Sequence, residues 1–241
     1  MKAKQAFGLL TVAAVLAGPA VLPAAGQQAP PAPAAASDIP SYKPPLRGAP
    51  GGRVGGASRG ALATVTVSVE LVAPEDHTGL TASASPTLYY SVSRAVTEPV
   101  KLTISAPMQP MPLVETTIPS PAAAGIQAVR LADYRVQLQP GTVYAWSVSV
   151  GFDARSPSRD VVATASIMRA PPDAAVESAV RAAPPQHRAS LLAQAGLWYD
   201  AVAAAAENKA ADRHAALDAL LDQVGLKAPA ALDRQMGQGA R

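Results

Sequence analysis

Alternation of apolar and polar residues is the feature of this chain that most constrains its fold. Between residues 64 and 71, valine or leucine occupies every second position, and Thr, Ser or Glu fills the others. This period of two is typical of a half-buried β-strand. Six further strand-like segments lie at 86–92, 98–105, 113–118, 126–131, 142–150 and 161–168. Seven short strands separated by Pro, Gly, Ser and Asp predict a mainly β fold, an antiparallel sandwich of the immunoglobulin or fibronectin-like class.

The segment Leu138-Gln-Pro-Gly-Thr-Val-Tyr144 adds a local signal. It resembles the turn that enters a late strand of fibronectin type III domains, where a tyrosine closes a corner by hydrogen-bonding back to the backbone. The resemblance implies the same role for Tyr144. It also supports a sandwich over 61–170.

The C-terminal part has a helical pattern. Pro171 and Pro172 end the strand region, and Asp173 is a suitable N-cap for a helix that ends at Ala183. Further helices are predicted at 186–195, 198–209 and 212–224, and Gly225 ends the last of these. The sandwich is thus expected to be followed by a helical hairpin or small bundle at 171–227 and a disordered tail at 228–241.

Residues 1–26 have the layout of a secretory signal peptide. Lys2 and Lys4 precede an apolar stretch from Phe7 to Ala17, and small residues follow Pro23. The stretch is too short to cross a hydrocarbon layer of about 30 Å, so a membrane anchor is the less favoured alternative. We expect an exported protein, periplasmic or extracellular, with no stable membrane insertion after cleavage.

Export changes how the charge and the cysteine content are interpreted. The net charge of +3 includes Lys2 and Lys4, and removal of 1–26 leaves 18 basic and 17 acidic residues. A nucleic-acid partner is therefore not indicated. The chain has no cysteine, so no disulfide supports the fold in an oxidising compartment.

The segment before the sandwich divides into two parts. Residues 27–41 are rich in Pro and Ala and predict a disordered spacer. Residues 42–60, which we call the arm, contain four basic and no acidic residues, and Arg47, Arg53 and Arg59 recur every six positions. The arm is either a flexible linker or an ordered segment. In the ordered case its glycines approach another surface and its arginines bind carboxylates or phosphates.

No motif for catalysis or metal binding is evident. His77 follows Glu75 and Asp76 on one predicted loop, but neighbouring side chains point apart and a zinc site needs three or four ligands. A solvated turn is the favoured interpretation, and His187 and His214 are predicted to be surface residues on helices. Neither a Gly-x-Ser-x-Gly turn nor a phosphate loop is present. The sequence predicts no catalytic residue, metal or cofactor.

Three blocks resemble a bacterial family of unknown function, DUF928. They are Tyr42-Lys-Pro-Pro with Arg47-Gly-Ala-Pro-Gly-Gly-Arg53, then Pro86-Thr-Leu-Tyr-Tyr90, and Gly196-Leu-Trp-Tyr-Asp-Ala201. Members usually carry a glycine and a threonine where this chain has Ala57 and Ser58. The resemblance implies an exported protein with this domain order and supplies no reaction.

A non-enzymatic interaction or scaffold protein of the periplasm or cell envelope is the function we expect. Its partner would be another envelope protein, and the sequence leaves the oligomeric state open. The candidate interaction residues are Arg47, Arg53 and Arg59, with Trp198 and Tyr199. The last two are adjacent on a helix and either dock on a partner or pack internally. The alternatives are a carbohydrate-binding sandwich module and a hydrolase with a dispersed site.

Overall fold

Two β-sheets followed by five helices make up this computed structural model. The structure describes residues 39–45, 51–57, 67–152, 160–208 and 213–239. The predicted signal peptide, most of the spacer, and both Arg47 and Arg59 lie outside these residues.

The strands form one sheet of order β1-β2-β4-β7 and a second of order β3-β9-β8-β5-β6. Their bounds are β1 (Gly56–Ala57), β2 (Ser68–Leu71), β3 (Gly79–Thr81), β4 (Thr87–Val92), β5 (Val100–Ser105), β6 (Val114–Ile118), β7 (Gly125–Arg130), β8 (Val143–Val150) and β9 (Val161–Arg169). Because β1 has only two residues, eight strands form the body of the sheets. The predicted number of seven is wrong.

The strand that the sequence pattern missed is β3. Its three residues are too few to show an alternation, and all three are buried, so no polar face marks it. It pairs in parallel with β9, with Gly79 opposite Ile167. The predicted all-antiparallel sandwich is therefore corrected to two sheets of which one is mixed.

The helices are α1 (Ala174–Ala182), α2 (Pro185–Gln194), α3 (Trp198–Glu207), α4 (Arg213–Gln223) and α5 (Lys227–Gly239). Asp173 caps α1 as predicted, since its side chain accepts a hydrogen bond from the amide of Val176. Helix α5 replaces the disordered tail expected at 228–241. Leu226 and Ala230 are both buried and lie one turn apart, which gives this segment an apolar face that packs on α4 and β7. None of the described helices has the length and apolar character needed to cross a membrane.

Burial follows the alternation in the sequence. In β8, the residues Tyr144, Trp146, Val148 and Val150 are buried and those between them are more exposed. They share one hydrophobic core with residues of β2, β4, β5 and β9. In β4 every residue from Leu88 to Val92 is buried, because α3 also packs against this strand.

The predicted corner at Tyr144 is present. The Tyr144 hydroxyl accepts a hydrogen bond from the backbone amide of Gln139 at 3.1 Å. Gly141, in the turn between them, has a φ of +74°, which favours glycine. The hydrogen bond implied by the fibronectin-like turn is confirmed.

A buried carboxyl group between α4 and α5 leads to a prediction about how stability depends on pH. Asp218 is buried, and desolvation raises its pKa from 3.8 to about 6, although Arg234 lies 3.5 Å away. A carboxyl group whose pKa is higher in the folded than in the unfolded protein destabilises the folded state when the pH is above the folded-state pKa. This destabilisation disappears as the pH falls towards the pKa of the unfolded protein. Relative to wild type, Asp218→Asn should therefore gain about 2 kcal/mol more unfolding free energy at pH 7.5 than at pH 4.

Chemical denaturation at the two pH values measures this difference. Asp222→Asn is the matched control, because Asp222 also lies 3.5 Å from Arg234 but is half exposed. Its effect should change much less between the two pH values. An equal effect of Asp218→Asn at pH 7.5 and pH 4 would contradict the prediction.

Candidate functional site

The arm joins the two sheets along one edge. Val54 exchanges backbone hydrogen bonds of 2.7 and 2.9 Å with Thr164 of β9. Shortly afterwards, Gly56 and Ala57 pair with Val69 and Ser68 of β2 in the other sheet. Residues 51–57 of the arm therefore support the interpretation of an ordered segment.

Arg53 holds the arm to two distant parts of the chain. Its Nε donates to the carbonyl oxygen of Ala73 at 3.0 Å, and its Nη2 donates to the carbonyl oxygen of Val224 at 2.9 Å. The Glu75 carboxylate is further away, at 3.8 Å, and is largely exposed. The arginine was expected to bind carboxylates or phosphates. In the structure it mainly satisfies backbone carbonyl groups at the end of α4 and in the loop after β2.

Glycines bring the arm against the loop 74–79. A Cβ atom on Gly52 would lie 2.0 Å from the carbonyl oxygen of Glu75, and one on Gly51 would lie 2.5 Å from Oγ1 of Thr78. Neither position has room for a side chain. At Gly55, by contrast, no atom of the described residues lies within 4 Å of where a Cβ would be. The close approach predicted from the glycine content is thus made at Gly51, Gly52 and Gly56, where a Cβ would lie 2.4 Å from the carbonyl oxygen of Val162.

A cleft of about 630 Å³ opens where the N-terminal segment, the loop 74–79 and the end of α4 meet. Its lining residues are Tyr42, Pro44, Glu75, Asp76, His77, Gln223, Val224 and Gly225. Gln223 fixes the N-terminal wall, since its Oε1 accepts from the amide of Tyr42 and its Nε2 donates to the carbonyl of Pro40.

Asp76, His77 and Tyr42 form a hydrogen-bonded chain in this cleft. The Asp76 Oδ1 to His77 Nδ1 distance is 2.7 Å, and the His77 Nε2 to Tyr42 Oη distance is 2.8 Å. A carboxylate accepts from Nδ1–H, which leaves Nε2 to accept from the tyrosine hydroxyl. The Tyr42 ring stacks on the imidazole and meets Trp198 edge-on.

The electrostatics of the Asp76–His77–Tyr42 hydrogen-bonded chain keep the Tyr42 hydroxyl protonated. Burial, and next the Asp76 charge, raise the pKa of Tyr42 well above its usual range, so its hydroxyl stays protonated. The hydrogen bond from His77 is the main cause that lowers the pKa of Asp76. The His77 side chain is only 16% exposed, which corrects the predicted solvated turn for this residue. Both imidazole nitrogens are occupied, and the described residues contain no cluster of three or more potential metal ligands.

Trp198 and Tyr199 are both fully buried, at 0% and 1% exposure. Trp198 Nε1 donates to the carbonyl oxygen of Val72 at 3.0 Å. The Tyr199 hydroxyl accepts from Trp146 Nε1 at 2.9 Å and donates to the carbonyl oxygen of Ser166 at 3.0 Å. Trp198 and Tyr199 were expected either to dock on a partner or to pack internally. Their positions fit internal packing on the sheets.

Gly196 and Asp200, in the same block 196–201, also make contacts inside the protein. Gly196 has a φ of +77°, and a Cβ there would lie 3.1 Å from the carbonyl oxygen of Lys43. Asp200 accepts a hydrogen bond from the amide of Ala82 at 2.8 Å, while burial raises the pKa of its carboxyl. This block therefore joins α3 to the N-terminal segment and to the end of β3.

Sequence reasoning missed the contacts among Tyr42, His77 and Gln223. The hydrogen bonds connect residues 35 and 181 positions apart, so no local pattern could show them. The one available signal was the position of Tyr42 at the start of the arm block.

Comparison with known proteins identifies the family. The model of the family described as Domain of Unknown Function (DUF928) matches residues 54–233. This range covers well over half of the chain, so the protein belongs to that family. It includes the blocks at 86–90 and 196–201, and the arm block up to Arg53 precedes it. Searches of curated proteins and of solved structures gave no match.

Docking of the arm can be tested with substitutions at two of its glycines. Gly52→Ala should displace the arm, because the added Cβ would overlap the Glu75 carbonyl oxygen, whereas Gly55→Ala meets open space. We expect Gly52→Ala to cost about 1–3 kcal/mol of stability. It should also lower hydrogen-exchange protection of the Val54 and Thr164 amides, which bond to each other's carbonyls. Equal protection in the two variants would count against docking of the arm.

The buried tyrosine makes a second prediction. Tyr199→Phe keeps the ring but leaves the Trp146 indole N–H and the Ser166 carbonyl oxygen without this partner. The unfolding free energy should fall by about 1–3 kcal/mol, as measured by chemical denaturation. Tyr134→Phe is the control, since no described residue hydrogen-bonds to that hydroxyl, and it should change stability little. Equal losses in the two variants would refute the role of the Tyr199 hydroxyl.

Proposed function

We propose that this protein is a non-enzymatic interaction module of the cell envelope, which binds another envelope protein through the tip of the β5–β6 hairpin. The tip comprises residues 106–113, Ala-Pro-Met-Gln-Pro-Met-Pro-Leu. Met108, Met111 and Leu113 are 101%, 75% and 45% exposed, and these side chains carry the proposal.

The chemistry of the tip suits an apolar contact. No charged residue occurs between Lys101 and Glu115. Exposed apolar patches on soluble proteins mark interaction sites, and methionine adapts its shape to a partner. Met108 has a φ of +58°, a conformation uncommon for residues other than glycine. Three prolines reduce the conformational freedom that the tip loses on binding.

The location and the fold class in this proposal were both first predicted from the sequence. The signal-peptide pattern at 1–26 supports a periplasmic or extracellular location. The immunoglobulin or fibronectin-like arrangement is supported by the Tyr144 corner, while the parallel β3–β9 pair departs from it.

The two alternative functions receive less support. A carbohydrate-binding surface strip would need exposed coplanar aromatic rings, and seven of the aromatic residues are buried: Tyr42, Tyr89, Tyr90, Tyr144, Trp146, Trp198 and Tyr199. A hydrolase at His77 would need an activated nucleophile beside the imidazole. The neighbouring hydroxyl is that of Tyr42, whose pKa burial raises.

Photo-crosslinking in cells tests the tip. A photoreactive residue at Met108 or Met111 should give an adduct with one envelope protein. The same residue at Val162, which is 47% exposed on β9, should not. The variant Met108→Ser/Met111→Ser should lose the partner and keep its unfolding midpoint, because both side chains are exposed. Identical adducts from the tip and from Val162, or no adduct from the tip, would overturn the proposal.

A further inference from the structure

A second cavity lies between β6 and β7, on a different part of the molecule's surface from the hairpin tip. Its volume is about 310 Å³. Ile118 to Ala122, which begin the connection between the two strands, line it together with residues 127–130 of β7. Tyr90, Asp133 and Tyr134 complete the lining. We call this cavity the groove.

The hydroxyl of Tyr90 is the most informative group in the groove. The residue is only 2% exposed, yet no described residue hydrogen-bonds to its hydroxyl. Among the described residues, the fully enclosed side-chain atoms without a hydrogen-bond partner are Arg94 Nε and Asp218 Oδ1, and the Tyr90 hydroxyl is not one of them. This hydroxyl is therefore open to the groove that Tyr90 lines. A phenol hydroxyl in that position can both donate to and accept from a bound molecule.

Tyr134 adds a second hydroxyl close by. Burial raises the pKa of Tyr90 to about 12, and its interaction with Tyr134 adds to this shift. The Tyr90 phenol is thus a neutral group near pH 7, and the hydroxyl groups of both residues can donate and accept hydrogen bonds. Neither hydroxyl has a hydrogen-bond partner among the described residues.

The other polar side chains of the groove are also available. Gln127 supplies an amide, and Arg130 and Asp133 supply opposite charges. None of these three side chains makes a hydrogen bond or ion pair with another residue in the part of the chain that the structure describes. The groove therefore offers donors and acceptors together without a net charge, and Pro119, Pro121 and Val129 add apolar wall.

We propose that the groove binds one unit of a neutral saccharide. Sugar hydroxyls both donate and accept, as do the two phenols and the amide, and the C–H faces of a sugar suit the proline and valine wall. A phosphate or an amine would leave Asp133 or Arg130 beside a like charge. The volume lies at the lower end of the range for small-molecule sites, about 300–1,000 Å³. This proposal does not depend on the hairpin tip. It also does not require the exposed strip of aromatic rings considered above, because the sugar would be held by hydroxyl and amide groups inside a groove.

Adjacent tyrosines on β4 provide the test. Tyr89 and Tyr90 face opposite sides of the strand, and Tyr89 lines a different cavity, beside His214 and Asp233. Glucose, galactose and N-acetylglucosamine are titrated into the purified protein, and amide NMR signals are followed. At least one sugar should shift the signals of residues 118–134. Tyr90→Phe and Gln127→Ala should each weaken its binding about tenfold or more, and Tyr89→Phe less than twofold.

Three outcomes would overturn the proposal. No sugar shifts the groove signals at millimolar concentration, Tyr89→Phe weakens binding as much as Tyr90→Phe, or a proline-rich peptide such as Ala-Pro-Pro-Ala-Pro binds there in place of the sugars. Tyr90→Phe removes an unpartnered hydroxyl and keeps the ring. Its unfolding midpoint should therefore match that of wild type, so lost binding can be assigned to the hydroxyl.

Discussion

The hydroxyl of Tyr199 connects the helices, the five-stranded sheet and the core at one atom. It accepts from the Trp146 indole and donates to the Ser166 carbonyl oxygen, so both of its hydrogen-bonding functions are used inside the protein. A phenol buried this deeply is unfavourable unless those bonds form, which fixes the start of α3 against β8 and β9. The constraint extends to Gly79, where a Cβ would lie 2.6 Å from the Tyr199 ring. The short parallel strand β3 begins at that glycine.

The blocks at 42–53 and 196–201, two of the three that carry the resemblance to the family, meet at the start of α3. Trp198 contacts the Tyr42 ring edge-on, with centroids 4.9 Å apart, and Lys43 donates its amide to the carbonyl oxygen of Ala193. Arg53 then connects the arm to the end of α4. The pattern of these blocks is accounted for by assembly of the arm, the sheets and the helices.

Sequence reasoning worked where a residue's environment repeats locally and was wrong where it depends on a distant partner. The alternation in β8 and the cap at Asp173 are local, and both are confirmed. All three residues of strand β3 are buried, so the strand shows no alternation of apolar and polar residues. Helix α5 was missed because its buried residues Pro229, Ala230 and Asp233 show no apolar period in the sequence; packing on α4 and β7 is what buries them. Trp198 and Tyr199 were recognised as important residues, but adjacency on a helix does not show whether a partner or the same chain covers them.

Both proposed surfaces border β6. The hairpin tip ends at Leu113 immediately before this strand, and the groove begins at Ile118, its last residue. A strand of five residues at about 3.4 Å each separates them by about 17 Å. A protein bound at the tip and a saccharide bound in the groove would therefore lie at opposite ends of one edge strand. The two ligands would therefore not compete for the same surface.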